Sequence, residues 1–196
     1  VSFIKKGVAP SNKKFSIKNQ KNKNSKSLAA PSDKDVLKII QKFNAGNYEE
    51  IIPELEVIIK KYPKYSAGWK ILGAAFASLG DTENGIKYSE HALSLNPDDP
   101  ATNNNLGNLY KLKHNYIKAQ NSFVKAIKLD PKFAAAYNNL GMLKKEKGLL
   151  SEAKEHFEQA ITLDPEYPHA LNNLGLLLSE VGDPELGVKY CSRALE

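Results

Sequence analysis

Residues 134–167 read AAAYNNLGMLKKEKGLLSEAKEHFEQAITLDPEY, and residues 100–133 read PATNNNLGNLYKLKHNYIKAQNSFVKAIKLDPKF. Laid on one another, Leu106 falls on Leu140, Gly107 on Gly141, Phe123 on Phe157, Ala126 on Ala160 and Pro131 on Pro165. The same 34-residue step carries the pattern outward in both directions. Proline recurs at Pro63, Pro97, Pro131 and Pro165, and glycine at Gly73, Gly107, Gly141 and Gly175. Leucine recurs at Leu72, Leu106, Leu140 and Leu174, and alanine at Ala92, Ala126, Ala160 and Ala194. Self-similarity at one fixed period marks a chain built from stacked copies of one small unit.

Each column has a physical reason. Large apolar residues spaced i, i+3 and i+7 make one face of a helix. Small residues at the glycine and alanine columns let two antiparallel helices, A and B, and then neighbouring pairs, approach closely. Proline ends helix B, because the residue before it is pushed out of the α region. Gly80, Gly148 and Gly182 sit at the turn between A and B, where left-handed dihedrals suit glycine. His114 stands in that glycine's place. Gly85 and Gly187 replace the first alanine of helix B, which keeps the contact close but costs about 1 kcal/mol of helix propensity. The first unit diverges most. Val36, Ile39, Ile40 and Phe43 supply its helix A face one residue out of register, with a one-residue shortening before Gly46. Pro53 lies within its helix B and is expected to kink that helix or delay its start.

Trp69, Leu72, Gly73 and Phe76, then Tyr137, Leu140 and Gly141, followed by Ala153, Phe157, Ala160 and Pro165, resemble the tetratricopeptide repeat. The resemblance covers residues 32–196 and implies an all-α fold. The implied architecture is a right-handed α-solenoid of about five helix-turn-helix repeats, with units 32–65, 66–99, 100–133, 134–167 and an incomplete 168–196. It also implies that helices A line a concave groove, with the second, fifth, sixth, ninth, twelfth and thirteenth positions of each unit facing inward. Those positions hold Lys70, Asn104, Asn105, Asn108, Lys111, Asn138, Asn139, Met142, Lys145, His169, Asn172 and Asn173.

Asparagine is a mediocre helix former, so its alignment in mid-helix needs a reason. A carboxamide both donates and accepts, which suits it to the backbone of an extended peptide. The pattern is similar to the asparagine ladder of O-linked N-acetylglucosamine transferase and kinesin light chain repeats. It does not extend to the carboxylate clamp of chaperone-binding repeats. Asn108 and Asn139 match the clamp's asparagines, but Asn104, His169 and Asn173 occupy its cationic positions. Lys70, Lys111 and Lys145 are expected to make the lining mildly cationic and to favour a ligand carrying Asp or Glu.

The net charge of +6 is unevenly placed. Residues 1–31 hold Lys5, Lys6, Lys13, Lys14, Lys18, Lys21, Lys23 and Lys26 and no acidic residue, which leaves the rest close to neutral. Their low apolar content predicts a disordered arm or linker, with nucleic acid or acidic lipid as alternative contacts. The one cysteine, Cys191, fits a reducing, cytoplasmic compartment and forms no cluster. The four histidines, His91, His114, His156 and His169, lack metal-ligand spacing, and no phosphate loop or nucleophile motif occurs. No cofactor or catalytic residue is expected. The chain reads as a non-catalytic scaffold for a peptide or partner protein. The alternative is an accessory region of a larger glycosyltransferase, sulfotransferase or methyltransferase, since the last unit stops before its proline and lacks a polar capping helix.

Overall fold

A computed structural model describes residues 30–196. The predicted arm lies outside the described residues except for Ala30 and Pro31, and Pro31 is buried. The described chain forms ten helices: α1 (Asp33–Asn44), α2 (Tyr48–Lys61), α3 (Ser66–Ser78), α4 (Thr82–Leu95), α5 (Pro100–Leu112), α6 (Tyr116–Leu129), α7 (Ala134–Glu146), α8 (Leu150–Leu163), α9 (Pro168–Glu180) and α10 (Pro184–Arg193). They fall into two compact units that divide after Pro97.

The boundaries follow the columns read from the sequence. α4, α6 and α8 end two residues before Pro97, Pro131 and Pro165. The residue before each proline is extended, with φ/ψ of −140/88 at Asn96, −136/92 at Asp130 and −143/90 at Asp164. Helix starts are held by side-chain caps. Asp81 accepts from the Asn84 N–H, Asp99 from Thr102 and Asp183 from Leu186. Pro100, Pro168 and Pro184 occupy the first turn, where no partner is lost. The A-to-B turns run through left-handed backbone at Gly46, Gly80, Gly148 and Gly182. His114 adopts the same conformation with φ 56, at a cost that glycine would not bear.

In the first unit, α3 packs against α2 and α4, and α1 against α2. Ile51, Leu55 and Ile59 of α2 meet Val36, Ile39 and Ile40 of α1 and Ile71, Leu72 and Ala75 of α3. Burying each of the valine, leucine and isoleucine side chains contributes about 1.5–3 kcal/mol. α2 starts at Tyr48, so the delay expected from Pro53 does not occur. The proline sits exposed in the second turn, where only one ladder donor is missing. The sole tryptophan, Trp69, donates its indole N–H to the Pro63 carbonyl at 2.8 Å and packs on His91 with ring centroids 4.1 Å apart.

In the second unit, three hairpins, α5–α6, α7–α8 and α9–α10, stack in order. Within each hairpin the glycine of helix A meets a residue of helix B. Gly107 lies under the Phe123 ring, Gly141 under Phe157, and Gly175 under Cys191. Phe123, Phe157, Ala126 and Ala160 are wholly buried. Ala126 is covered by Phe133, Ala135 and Ala136 of the next hairpin, and Ala160 by Ala134 of its own hairpin and Ala170 of the next, with Tyr167 packed at both places. α7 therefore packs on α6 and α8, and its flanks touch α5 and α9. The helices A of this unit form one layer and the helices B the other.

Candidate functional site

The asparagines of the second unit form bonded pairs across its A layer. The Asn139 carboxamide nitrogen, on α7, donates to the Asn104 carboxamide oxygen, on α5, at 2.9 Å. One repeat later, Asn173 on α9 donates to Asn138 on α7 at 2.8 Å. Each bond joins the sixth position of one repeat to the fifth position of the repeat before it, 35 residues away. A bond of this type contributes about 1 kcal/mol.

The pairing divides the predicted lining residues into two groups. Asn104 and Asn138 are 0% and 3% exposed, so they do not face solvent as groove residues should. The following helix A covers the fifth position, a contact that only stacking creates. Asn139 and Asn173 remain half-exposed, as do Asn105, Asn108 and Met142. Asn172 and His169 are exposed, and the His169 ring meets the edge of Tyr167. The Asn138 amide also points at Met142 Sδ at 3.9 Å, a long and weak contact. Asn108 holds the equivalent place above Asn104, whose Nδ2 lacks a partner, as does the Thr102 hydroxyl. Asn103, in the column of Trp69 and Tyr137, is also buried and donates to the Asp99 carbonyl at 2.8 Å.

The expected cationic lining is neutralised in this unit. Lys111 pairs with Glu146 at 3.0 Å and Lys145 with Glu180 at 2.7 Å, each across two neighbouring helices A. These pairs join the twelfth position of one repeat to the thirteenth of the next, again one repeat plus one residue apart. The glutamates were not among the sequence candidates. Their own 34-residue spacing, Glu146 to Glu180, is the signal that could have found them. In the first unit, Lys70 is half-buried, and Ile71, 2% exposed, stands where the second unit has an amide.

Other charged groups meet within the α7–α8 hairpin. Lys144 and Glu152 pair at 2.6 Å within the α7–α8 hairpin, and the lysine holds the Glu152 carboxyl below its ordinary pKa. Burial lowers the pKa of His156 on α8, helped by the charge of Lys144. Among the described residues no group of three or more His, Cys, Asp or Glu could hold a metal ion. No described helix is long and apolar enough to cross a membrane.

Sequence models described as tetratricopeptide repeat match residues 69–99, 88–121, 134–167 and 156–189, more than half of the chain. No curated protein matches the chain. Among solved structures, MamA (residues 41 to the end) from Desulfovibrio magneticus RS-1 superposes with a TM-score of 0.70 at 21% identity, over 84% of this chain and 94% of that one. Pseudomonas aeruginosa pilF gives 0.75 at 19% identity, over 83% and 74%. TTC0263, a thermophilic TPR protein of Thermus thermophilus, gives 0.71 at 17% identity, over 83% and 89%. At these identities the likeness is one of fold.

Proposed function

This chain belongs to the tetratricopeptide repeat family, and from that premise we propose that it is a non-catalytic scaffold that holds an extended peptide or partner protein along the A layer of its second unit. One observation carries the reading: half-exposed carboxamides Asn105, Asn139 and Asn173 recur at the same position of three consecutive helices A. A row of such groups offers donors and acceptors in alternation, which is what the backbone of an extended chain requires. The pairing of Lys111 and Lys145 with glutamates removes the reason to expect an acidic ligand. Affinity capture from a lysate of the source cells tests the reading. Partners retained by the natural protein should be lost with the triple variant Asn105→Ala, Asn139→Ala, Asn173→Ala. A variant that keeps helical content and the same partners refutes it.

A further inference from the structure

We infer that the A layer of the second unit is a preset, electrically neutral amide lattice, that its ligand is an extended segment without charged side chains, and that Asn104 and Asn138 are positioning residues that set the affinity. The inference rests on the peptide-binding reading above and adds its ligand class.

A half-exposed asparagine ordinarily samples several rotamers, and a ligand that immobilises it must offset the lost freedom. Asn139 and Asn173 are already tied, at 2.9 and 2.8 Å, to carboxamides that are 0% and 3% exposed. A carboxamide has two N–H groups and one oxygen. The tie uses one N–H, so the other N–H and the oxygen remain for a ligand. That remainder matches one peptide carbonyl and one peptide N–H. Asn104 and Asn138 are out of a ligand's reach and act only through the amides that they hold.

Packed helices lie about 8–10 Å apart. Extended chain rises about 3.1–3.4 Å per residue. Successive amides therefore meet about every third residue of the ligand, and Asn105, Asn139 and Asn173 together read a segment of about seven residues through its main chain.

At the inward positions of this unit the lysines are Lys111 and Lys145 and the acids are Glu146 and Glu180, and each lysine holds one glutamate. An acidic side chain laid there meets a glutamate beside each lysine, and a basic one meets the reverse. Either sign gains little and loses hydration.

Two displayed libraries of segments about nine residues long test this, one free of Asp, Glu, Lys, Arg and His and one containing them. Panning against the full chain should enrich binders from the uncharged library. Their affinity should change by less than about twofold between about 50 and 500 mM salt, as neutral contacts require. Asn104→Leu and Asn138→Leu should each weaken them by roughly three- to tenfold through lost preorganisation. In the ligand-free protein, side-chain amide relaxation of Asn139 should show greater motion in Asn104→Leu, with the backbone unchanged. That measurement and the independent Asn138 variant guard against one substitution that fails to fold. Binders that arise only from the charged library, and that Asn139→Ala abolishes, overturn the neutral-ligand inference and leave the peptide-binding reading standing. Unchanged affinity in both leucine variants overturns the positioning role. Failure of both libraries to yield a binder sensitive to Asn139→Ala overturns the peptide-binding reading and this inference with it.

Discussion

Replacing Gly141 by alanine sets two large terms against each other. Alanine is about 1 kcal/mol better than glycine within a helix, and Gly141 lies in the middle of α7. The added Cβ, however, would stand 2.7 Å from Phe157 Cε1, 2.8 Å from Cδ1 and 3.2 Å from the Ala153 carbonyl oxygen. Carbon atoms rest about 3.5–4.0 Å apart, so the ring must retreat by about 1 Å. Phe157 is 0% exposed and shares its cluster with Leu174, Leu177 and Leu178, which leaves it no open direction. Overpacking of this kind costs about 1–3 kcal/mol. The net expectation for Gly141→Ala is a loss of about 1 kcal/mol.

Phe157→Leu shortens the obstructing side chain, so the two changes should couple. The double variant should be about 1–2 kcal/mol more stable than the sum of the single effects, within the usual range for residues in contact. Gly148→Ala is the control. Its φ is 74 with nothing within 4 Å of the built Cβ, so the cost is one of backbone alone and should not couple to Phe157→Leu. Urea unfolding followed by far-ultraviolet circular dichroism gives the stabilities. Trp69 is the sole tryptophan and lies in the first unit, so its fluorescence separates that unit's transition from the second's. A Gly141→Ala variant as stable as the natural protein, or a cycle additive to within about 0.5 kcal/mol, would refute close packing as the reason for the glycine column.

Two further outcomes follow from the same structure. Burial holds the pKa of His156 below its ordinary value of about 6.5. The unfolded chain therefore takes up the proton first, and the His156 contribution, present above about pH 6.5, is lost as pH falls through the lowered folded value. Stability measured by urea unfolding between about pH 7 and 5 should decline less in His156→Gln than in the natural protein, and parallel curves would contradict this. His114→Gly exchanges a strained left-handed residue for one at ease there. Relief of about 1–2 kcal/mol is offset by about 0.4–1 kcal/mol of added freedom in the unfolded chain and by loss of the 3.1 Å contact with the Tyr116 hydroxyl. A net gain of roughly 0.5 kcal/mol is expected, and a net loss would mean that the tyrosine contact outweighs the backbone strain.

Most of the fold is legible in the chain because the forces that set it are local. Leu140, Gly141 and Ala160 declare their roles through size and spacing, and Pro131 and Pro165 through backbone sterics, whatever lies beyond the repeat. Pro53 fails to delay its helix for the converse reason. Its steric rule is local too, but α2 runs Tyr48–Lys61 through it, with the buried Ile51, Leu55 and Ile59 holding the helix together. The candidate site was legible only in part. The asparagine columns were visible, but two of their members were read on the wrong side of the protein surface.

By itself the sequence determined the 34-residue period, the two helices of each unit and the turn positions, since each depends on residues within a few turns of one another. Only the tertiary structure decided that the polar contacts between successive helices A run at 35 residues. Stacking one helix A beside the next brings the fifth position against the sixth and the twelfth against the thirteenth. That one-residue offset buries Asn104 and Asn138, ties Asn139 and Asn173, and neutralises Lys111 and Lys145. A repeat pattern shows which residues are equivalent, whereas which of them touch depends on how the copies are set side by side.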